Sequence, residues 1–289
     1  MKKVVLLTLI LILISFAIGF VSGAKKLFPY NLAKSTYEKL KRTEITTDLN
    51  LCKIETLTQL PNSFAVFIGH AYGAPATSDI TDYLAPNVER FLSEHRKMIT
   101  SVIFTGDVFA VPSSTKWKKL FEGFENLDIH VAPGNHDILR PDSHEVFKNQ
   151  KYIRQDYPYE ITYGAANIIV SDSISNNWQL GSSLTELLKA QSSDVIVARH
   201  NIVVSELLDY ANSGAGGSLL PTAQELALNA KTDQNVTWIM GDGGAFSDLP
   251  RTTCHQYKNH HFIINGIGEL DGDTVMILHK GKLFNYQIN

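Results

Sequence analysis

Gly134-Asn135-His136-Asp137, with Gly106-Asp107 upstream, gathers an amide, an imidazole and two carboxylates into two short turns. Each turn follows an apolar, β-like run: Ser101-Val102-Ile103-Phe104-Thr105 before the first, Leu127-Asp128-Ile129-His130-Val131 before the second. Two strands are therefore expected to deliver these groups to one edge of a sheet. In open α/β sheets that edge is where ligands bind. Oxygen and nitrogen donors in this mixture suit a hard or borderline divalent cation.

Three further turns extend the pattern. Phe64-Ala65-Val66-Phe67-Ile68 leads into Gly69-His70-Ala71-Tyr72-Gly73, Asp194-Val195-Ile196-Val197-Ala198-Arg199 into His200, and Val236-Thr237-Trp238-Ile239-Met240 into Gly241-Asp242-Gly243-Gly244. In this order, from about Phe64 to the C-terminus, the five turns resemble the sequence blocks of the calcineurin-like metallophosphoesterases. Two blocks depart from that pattern. Ile68 stands where the family has the Asp of its first Asp-x-His. Asp242 and Gly244 stand where it has the two histidines of its fifth block, Gly-His-x-His.

The resemblance implies a ligand set. In the family two cations share the carboxylate that matches Asp107. Here one of the two sites keeps only His70 and Asp107. The other keeps Asp107, Asn135 and His200, with Asp242 as a competent carboxylate replacement. The expectation is one divalent ion per chain (Mn, Fe, Zn or Mg). His70 either contributes to it or binds phosphate. The resemblance also makes His136 the proton donor to a leaving alkoxide. Asp137 beside it could orient the imidazole, and His70 or Arg199 could supply positive charge where the second cation is missing. Each residue has a plainer reading as well. Asp107 and Asp242 suit tight turns, Asn135 and His136 could stabilise a turn after Pro133-Gly134, and His200 could be a satisfied strand-end histidine. His255, His260 and His261 are either substitute ligands or loop and strand-end residues without chemistry.

The expected function is a membrane-anchored, metal-dependent phosphoesterase of the cell envelope. Its substrate would be a phosphorylated small molecule or a lipid- or saccharide-linked ester. The two departures are similar to those in a subset of the superfamily found among bacterial surface-polysaccharide proteins. The alternative is a weak or inactive relative that keeps the fold to bind a phosphorylated or glycan ligand, or an envelope partner.

Composition sets the frame. The chain has 289 residues, 44% of them hydrophobic, enough for a full core. A net charge of −3 argues against a nucleic-acid-binding surface. Its 2 cysteines, Cys52 and Cys254, make no metal cluster; they either bridge or stay as thiols. Lys2-Lys3 precede an uncharged apolar stretch, Val4 to Ala24. Roughly 20 helical residues span a bilayer core, so 1–24 reads as a signal-anchor, whereas Ser22-Gly23-Ala24 would also suit a cleaved signal peptide. Lys25, Lys26, Lys34, Lys39, Lys41 and Arg42 follow the span and pull toward the cytoplasm. The basic start still favours an extracytoplasmic domain.

Residues 25–62 read as a membrane-proximal connector and 63–289 as the globular domain. Within it strands and helices alternate. Helices are expected at Tyr83 to Arg96, Thr115 to Asn126, Leu184 to Gln191 and Val203 to Ala211. A hairpin is expected from Tyr159-Glu160-Ile161-Thr162-Tyr163 and Asn167-Ile168-Ile169-Val170-Ser171. Three late strands are expected at His261 to Asn265, Thr274 to Leu278 and Leu283 to Gln287. This is an α/β pattern compatible with two mixed sheets; the family it resembles has a four-layer αββα sandwich.

Overall fold

The parallel strands of two different sheets end at one place, and the apolar runs of the sequence are the reason. A computed structural model of the chain describes residues 50–73, 82–175, 180–191, 193–200, 234–245, 252–257, 259–268 and 272–288. In chain order these form strands β1 (Asn50–Leu51) and β2 (Phe64–Ile68), helix α1 (Pro86–His95), β3 (Ile99–Phe104), α2 (Ser114–Gly123) and β4 (Asp128–Val131). A short α3 (Asn135–Ile138) and α4 (Pro141–Lys148) follow, then β5 (Tyr159–Tyr163), β6 (Ala166–Val170), α5 (Ser182–Ala190), β7 (Val195–Arg199) and β8 (Val236–Met240). A 3-10 turn (Asp242–Ala245) leads to β9 (Thr252–Tyr257), β10 (His260–Asn265), β11 (Thr274–His279) and β12 (Lys282–Gln287).

The protein is α/β with two mixed sheets. One has the order β12-β11-β2-β3-β4, the other β1-β9-β10-β8-β7-β6-β5. In the first, β2, β3 and β4 run parallel; in the second, β6, β7, β8 and β10 do. Strand β2 is apolar throughout because both of its faces are covered. Phe64, Val66 and Ile68 turn outward with Val102 and Phe104 onto Val88, Phe91 and Leu92 of α1 and Trp117 and Leu120 of α2. The alternate residues Ala65 and Phe67 join Ile103, Met276 and Leu278. These meet Ile168, Val170, Ile196, Ala198, Ile239 and Ile263 of the other sheet. The period-two alternation of a strand thus places one core between the sheets and another beneath the helices.

Most expected elements are present with shifted ends. Helix α1 begins at Pro86 rather than Tyr83, since proline is pre-set for the first helical position. Helix α2 is started by Ser113, whose hydroxyl accepts the Lys116 N–H at 3.3 Å. The hairpin turns on Gly164-Ala165 alone, because Ala166 pairs with Tyr163. Helix α4 and strand β9 are additional. Residues 50–57, read from sequence within the connector, are tied to the sheet edges. Asn50 and Leu51 pair with Gln256 and His255, Cys52 is disulfide-bonded to Cys254, and the Leu57 N–H donates to Asn285 O at 2.9 Å. Among the described residues no helix is long and apolar enough to cross a membrane. The expected span Val4 to Ala24 and the expected helix Val203 to Ala211 lie outside the described residues.

Candidate metal centre

Five turns sit at the C-terminal ends of parallel strands: His70 after β2, Asp107 after β3, Asn135 and His136 after β4, His200 after β7 and Asp242 after β8. Backbone contacts hold these ends together. The His70 N–H donates to Gly106 O at 2.9 Å, Thr105 N–H to Ile68 O at 2.9 Å, and Ile267 N–H to Gly69 O at 2.9 Å, which joins the two sheets. Glycines allow the approach. A Cβ on Gly69 would overlap Gly241, one on Gly241 would overlap the Thr105 carbonyl, and one on Gly106 would overlap the His200 ring. His70 and Asp107 both adopt positive φ, 53° and 55°, a left-handed backbone seldom accepted by residues with a Cβ.

Three imidazoles are oriented in one way. A backbone carbonyl can only accept, so each Nδ1 must donate: His70 to Ile267 O at 3.1 Å, His200 to Thr105 O at 3.1 Å, and His136 to Ala110 O at 2.9 Å. Every Nε2 is thereby turned toward the same space, the orientation usual for a metal-binding histidine. His70 Nε2 lies 3.9 Å from Asp107 Oδ2. His200 Nε2 lies 3.6 Å from Asp107 Oδ1, 3.8 Å from Asp242 Oδ1 and 3.0 Å from Asn135 Oδ1. Potential ligand atoms of His70, Asp107 and Asp242 all lie within 4.8 Å of one another, so this group could hold a metal ion. Asp242 thus adjoins both His70 and His200, joining two ligand sets that the sequence separates.

Burial sets the charges. Removal from water pushes the His70 imidazole down to about 4 and the Asp242 carboxyl up to about 6, the latter partly offset by His200. Burial also opposes the charged form of His200, but Asp107 and Asp242 outweigh it and raise its pKa. Buried carboxylates this close repel one another, and a cation between them would relieve that cost.

His136 and Asp137 do not pair as expected. Asp137 is fully buried and accepts three backbone donors: Asp107 N–H at 2.9 Å, Gly134 N–H at 2.9 Å and Val108 N–H at 3.2 Å. Burial and the Asp107 charge push its carboxyl up to about 7, while those donors act in the opposite sense. The His136 ring belongs instead to Ala110 O and to Tyr72, whose hydroxyl lies 3.4 Å from its Nε2. The His136 side chain is 30% exposed, against 16% for Asp242 and 2% or less for His70, Asp107 and His200, so His136 marks the mouth of the site.

Other candidates fall elsewhere. Ile68 is in the helix-side core, and Gly244 lies in the 3-10 turn with no ligand atom to offer. Ala198 faces the inter-sheet core, so by alternation Arg199 leaves the other face of β7, and Asp172 is its charged neighbour. His255 is mid-strand in β9, and His260 accepts the Trp238 Nε1–H at 3.0 Å. His260 and His261 pair with Val236 and Thr237, at the end of β8 remote from Asp242. None of the three histidines supplements the ligands. Tyr72 joins the site from the same turn as His70. It stands two residues after His70, but nothing in the sequence indicates where its ring points.

The chain matches no protein-family model, and no curated protein matches its sequence.

Proposed function

We propose that this protein is a metal-dependent phosphoesterase of the calcineurin-like type, tethered to the membrane with its globular domain outside the cytoplasm. The observation that carries the reading is the convergence of five strand-end turns from both sheets on one cluster. That cluster combines two carboxylates, two inward-facing imidazoles and an amide oxygen with a third imidazole at its mouth. The two facing sheets with helices on the outer face of one are compatible with a four-layer αββα sandwich. Asp107, Asp242, His70, His200 and Asn135 would hold one divalent cation among them. Such a cation lowers the pKa of water and offsets charge on phosphoryl oxygens.

The chain's own groups account for the remainder of the chemistry. Water oxygen bonds to phosphorus as the ester P–O bond breaks. The leaving alkoxide takes a proton from His136 Nε2, the nitrogen not committed to Ala110. The other product is phosphate, and the proton lost by the attacking water restores His136 by way of solvent, so hydrolysis consumes one water and releases no net proton. Asp137 fixes the backbone that carries Asp107. The Cys52–Cys254 disulfide supports an oxidising compartment, and the apolar stretch Val4 to Ala24 supports the tether.

Elemental analysis combined with turnover of p-nitrophenyl phosphate in Mn, Fe, Zn or Mg tests this reading. Metal-dependent hydrolysis is the expected result. The absence of a ligand at Ile68 and Gly244 favours a second reading, a phosphate- or glycan-binding relative without turnover. Cation binding with no hydrolysis would select it.

A further inference from the structure

We infer that Tyr72 is the positioning residue for His136, holding its Nε2 at the mouth of the metal centre; this rests on the phosphoesterase reading above. A proton donor must present one nitrogen at a fixed place. The hydrogen bond from Nδ1 to Ala110 O anchors the His136 ring at one corner. The second hold is Tyr72. Its hydroxyl is 3.4 Å from His136 Nε2, and the two rings pack with centroids 5.2 Å apart. Asp137, the neighbour a sequence argument would choose for this role, is committed to three backbone amides.

Tyr72 is itself fixed. It is 2% exposed, and its ring packs on His70 with centroids 4.4 Å apart. Its turn is closed by the Gly73 N–H donating to His70 O at 2.9 Å and tied to the start of α1 by the Ala85 N–H donating to Ala71 O at 2.8 Å. A candidate metal ligand, the phenol and the proton donor thus form one row of tilted ring contacts: His70, Tyr72, His136. A phenolic hydroxyl both donates and accepts. It can donate to Nε2 when the ring is neutral and accept from Nε2–H when it is protonated. Tyr72 therefore restrains the ring before and after proton transfer, which a carboxylate or a carbonyl at the same position could not do.

Tyr72→Phe removes the hydroxyl and keeps the ring packing. We expect it to leave bound Mn²⁺ unchanged and KM little altered while kcat falls by roughly tenfold to hundredfold. In a His136→Ala background the same change should cost nothing further, because the residue acts through His136. Losses that simply multiply would overturn the assignment. An independent measurement is the ¹⁵N signal of His136 Nε2 in metal-free protein, which should move in Tyr72→Phe; an unmoved signal would overturn it equally. Wild-type protein that hydrolyses no ester would end the phosphoesterase reading, and the imidazole signal would then decide the Tyr72–His136 contact alone.

Discussion

Asp137 Oδ2 accepts the backbone N–H of Asp107 at 2.9 Å, and the Asp107 Oδ1 accepts the backbone N–H of His136 at 2.9 Å. The turns after β3 and β4 are therefore laced together by reciprocal bonds between carboxylates and backbone amides. Asp137→Ala would strand three buried amides, each costing about 1–3 kcal/mol. The expected result is a loss on the order of 3 kcal/mol or more in stability, together with weaker metal binding. Denaturant unfolding and metal titration check it. A variant with unchanged stability that merely turned over more slowly would return Asp137 to the role of orienting His136.

Asp107 lies near both His70 and His200, so Asp107→Ala should remove bound metal and activity together. Elemental analysis of the wild type should find close to one tightly held divalent ion per chain, because Ile68 and Gly244 offer no ligand atom. Two tightly held ions would contradict this, since His255, His260 and His261 stand too far along their strands to contribute.

His136→Ala should leave the ion in place and lower kcat by roughly 10²–10⁴, the loss expected for a missing general acid. Its Nε2 is 4.0 Å from Asp107 Oδ2, and its side chain is the most exposed of the three imidazoles. An empty metal site in this variant would make His136 a ligand instead.

The strands that carry the site were legible because each is a short apolar run ended by a turn residue, as Phe64–Ile68 before Gly69 and Val236–Met240 before Gly241 illustrate. The candidate ligands are legible because their order along the chain is itself a pattern. What surrounds them is not. The partners of His70, His136 and His200 are the carbonyls of Ile267, Ala110 and Thr105, and a carbonyl has no sequence signature. Sequence proximity pairs Asp137 with His136, whereas the fold brings it the amides of Asp107 and Val108 from another turn. Strand β9, Thr-Thr-Cys-His-Gln-Tyr, lacks a clear apolar alternation and gives no strand signal in the sequence. Residues 50–57 are held by backbone pairs to β9 and Asn285, which leave no apolar pattern in the sequence.

At Gly241 the two sheets approach closely at the site, since a Cβ there would collide with the carbonyl of Thr105. Backbone cannot yield as a flexible side chain would. Gly241→Ala should therefore destabilise the protein by about 1–3 kcal/mol and displace Asp242, the next residue, so that metal affinity falls with stability. Gly164→Ala provides the comparison, because its Cβ would meet nothing within 4 Å although its φ is 59°. It should cost some stability through strain and leave metal affinity intact. Equal metal affinity in both variants would show that the Gly241 contact does not govern the site.

The disulfide between Cys52 and Cys254 encloses a loop with a sequence separation of 202 and fastens the edge strand β1 to β9. Replacing both cysteines by serine should cost about 2–4 kcal/mol, chiefly by freeing the unfolded chain. The bond also carries a prediction about compartment, because disulfides persist where the surroundings are oxidising. Protein from untreated cells should resist alkylation at both positions until a dithiol reductant is added. In intact spheroplasts, external protease should digest the globular domain. Membranes should retain the full-length chain through carbonate extraction if Val4 to Ala24 is an anchor. A soluble chain beginning at Lys25 would make that segment a cleaved signal peptide. Free thiols in a protease-protected domain would put the site on the cytoplasmic face, the side toward which the basic residues from Lys25 to Arg42 pull.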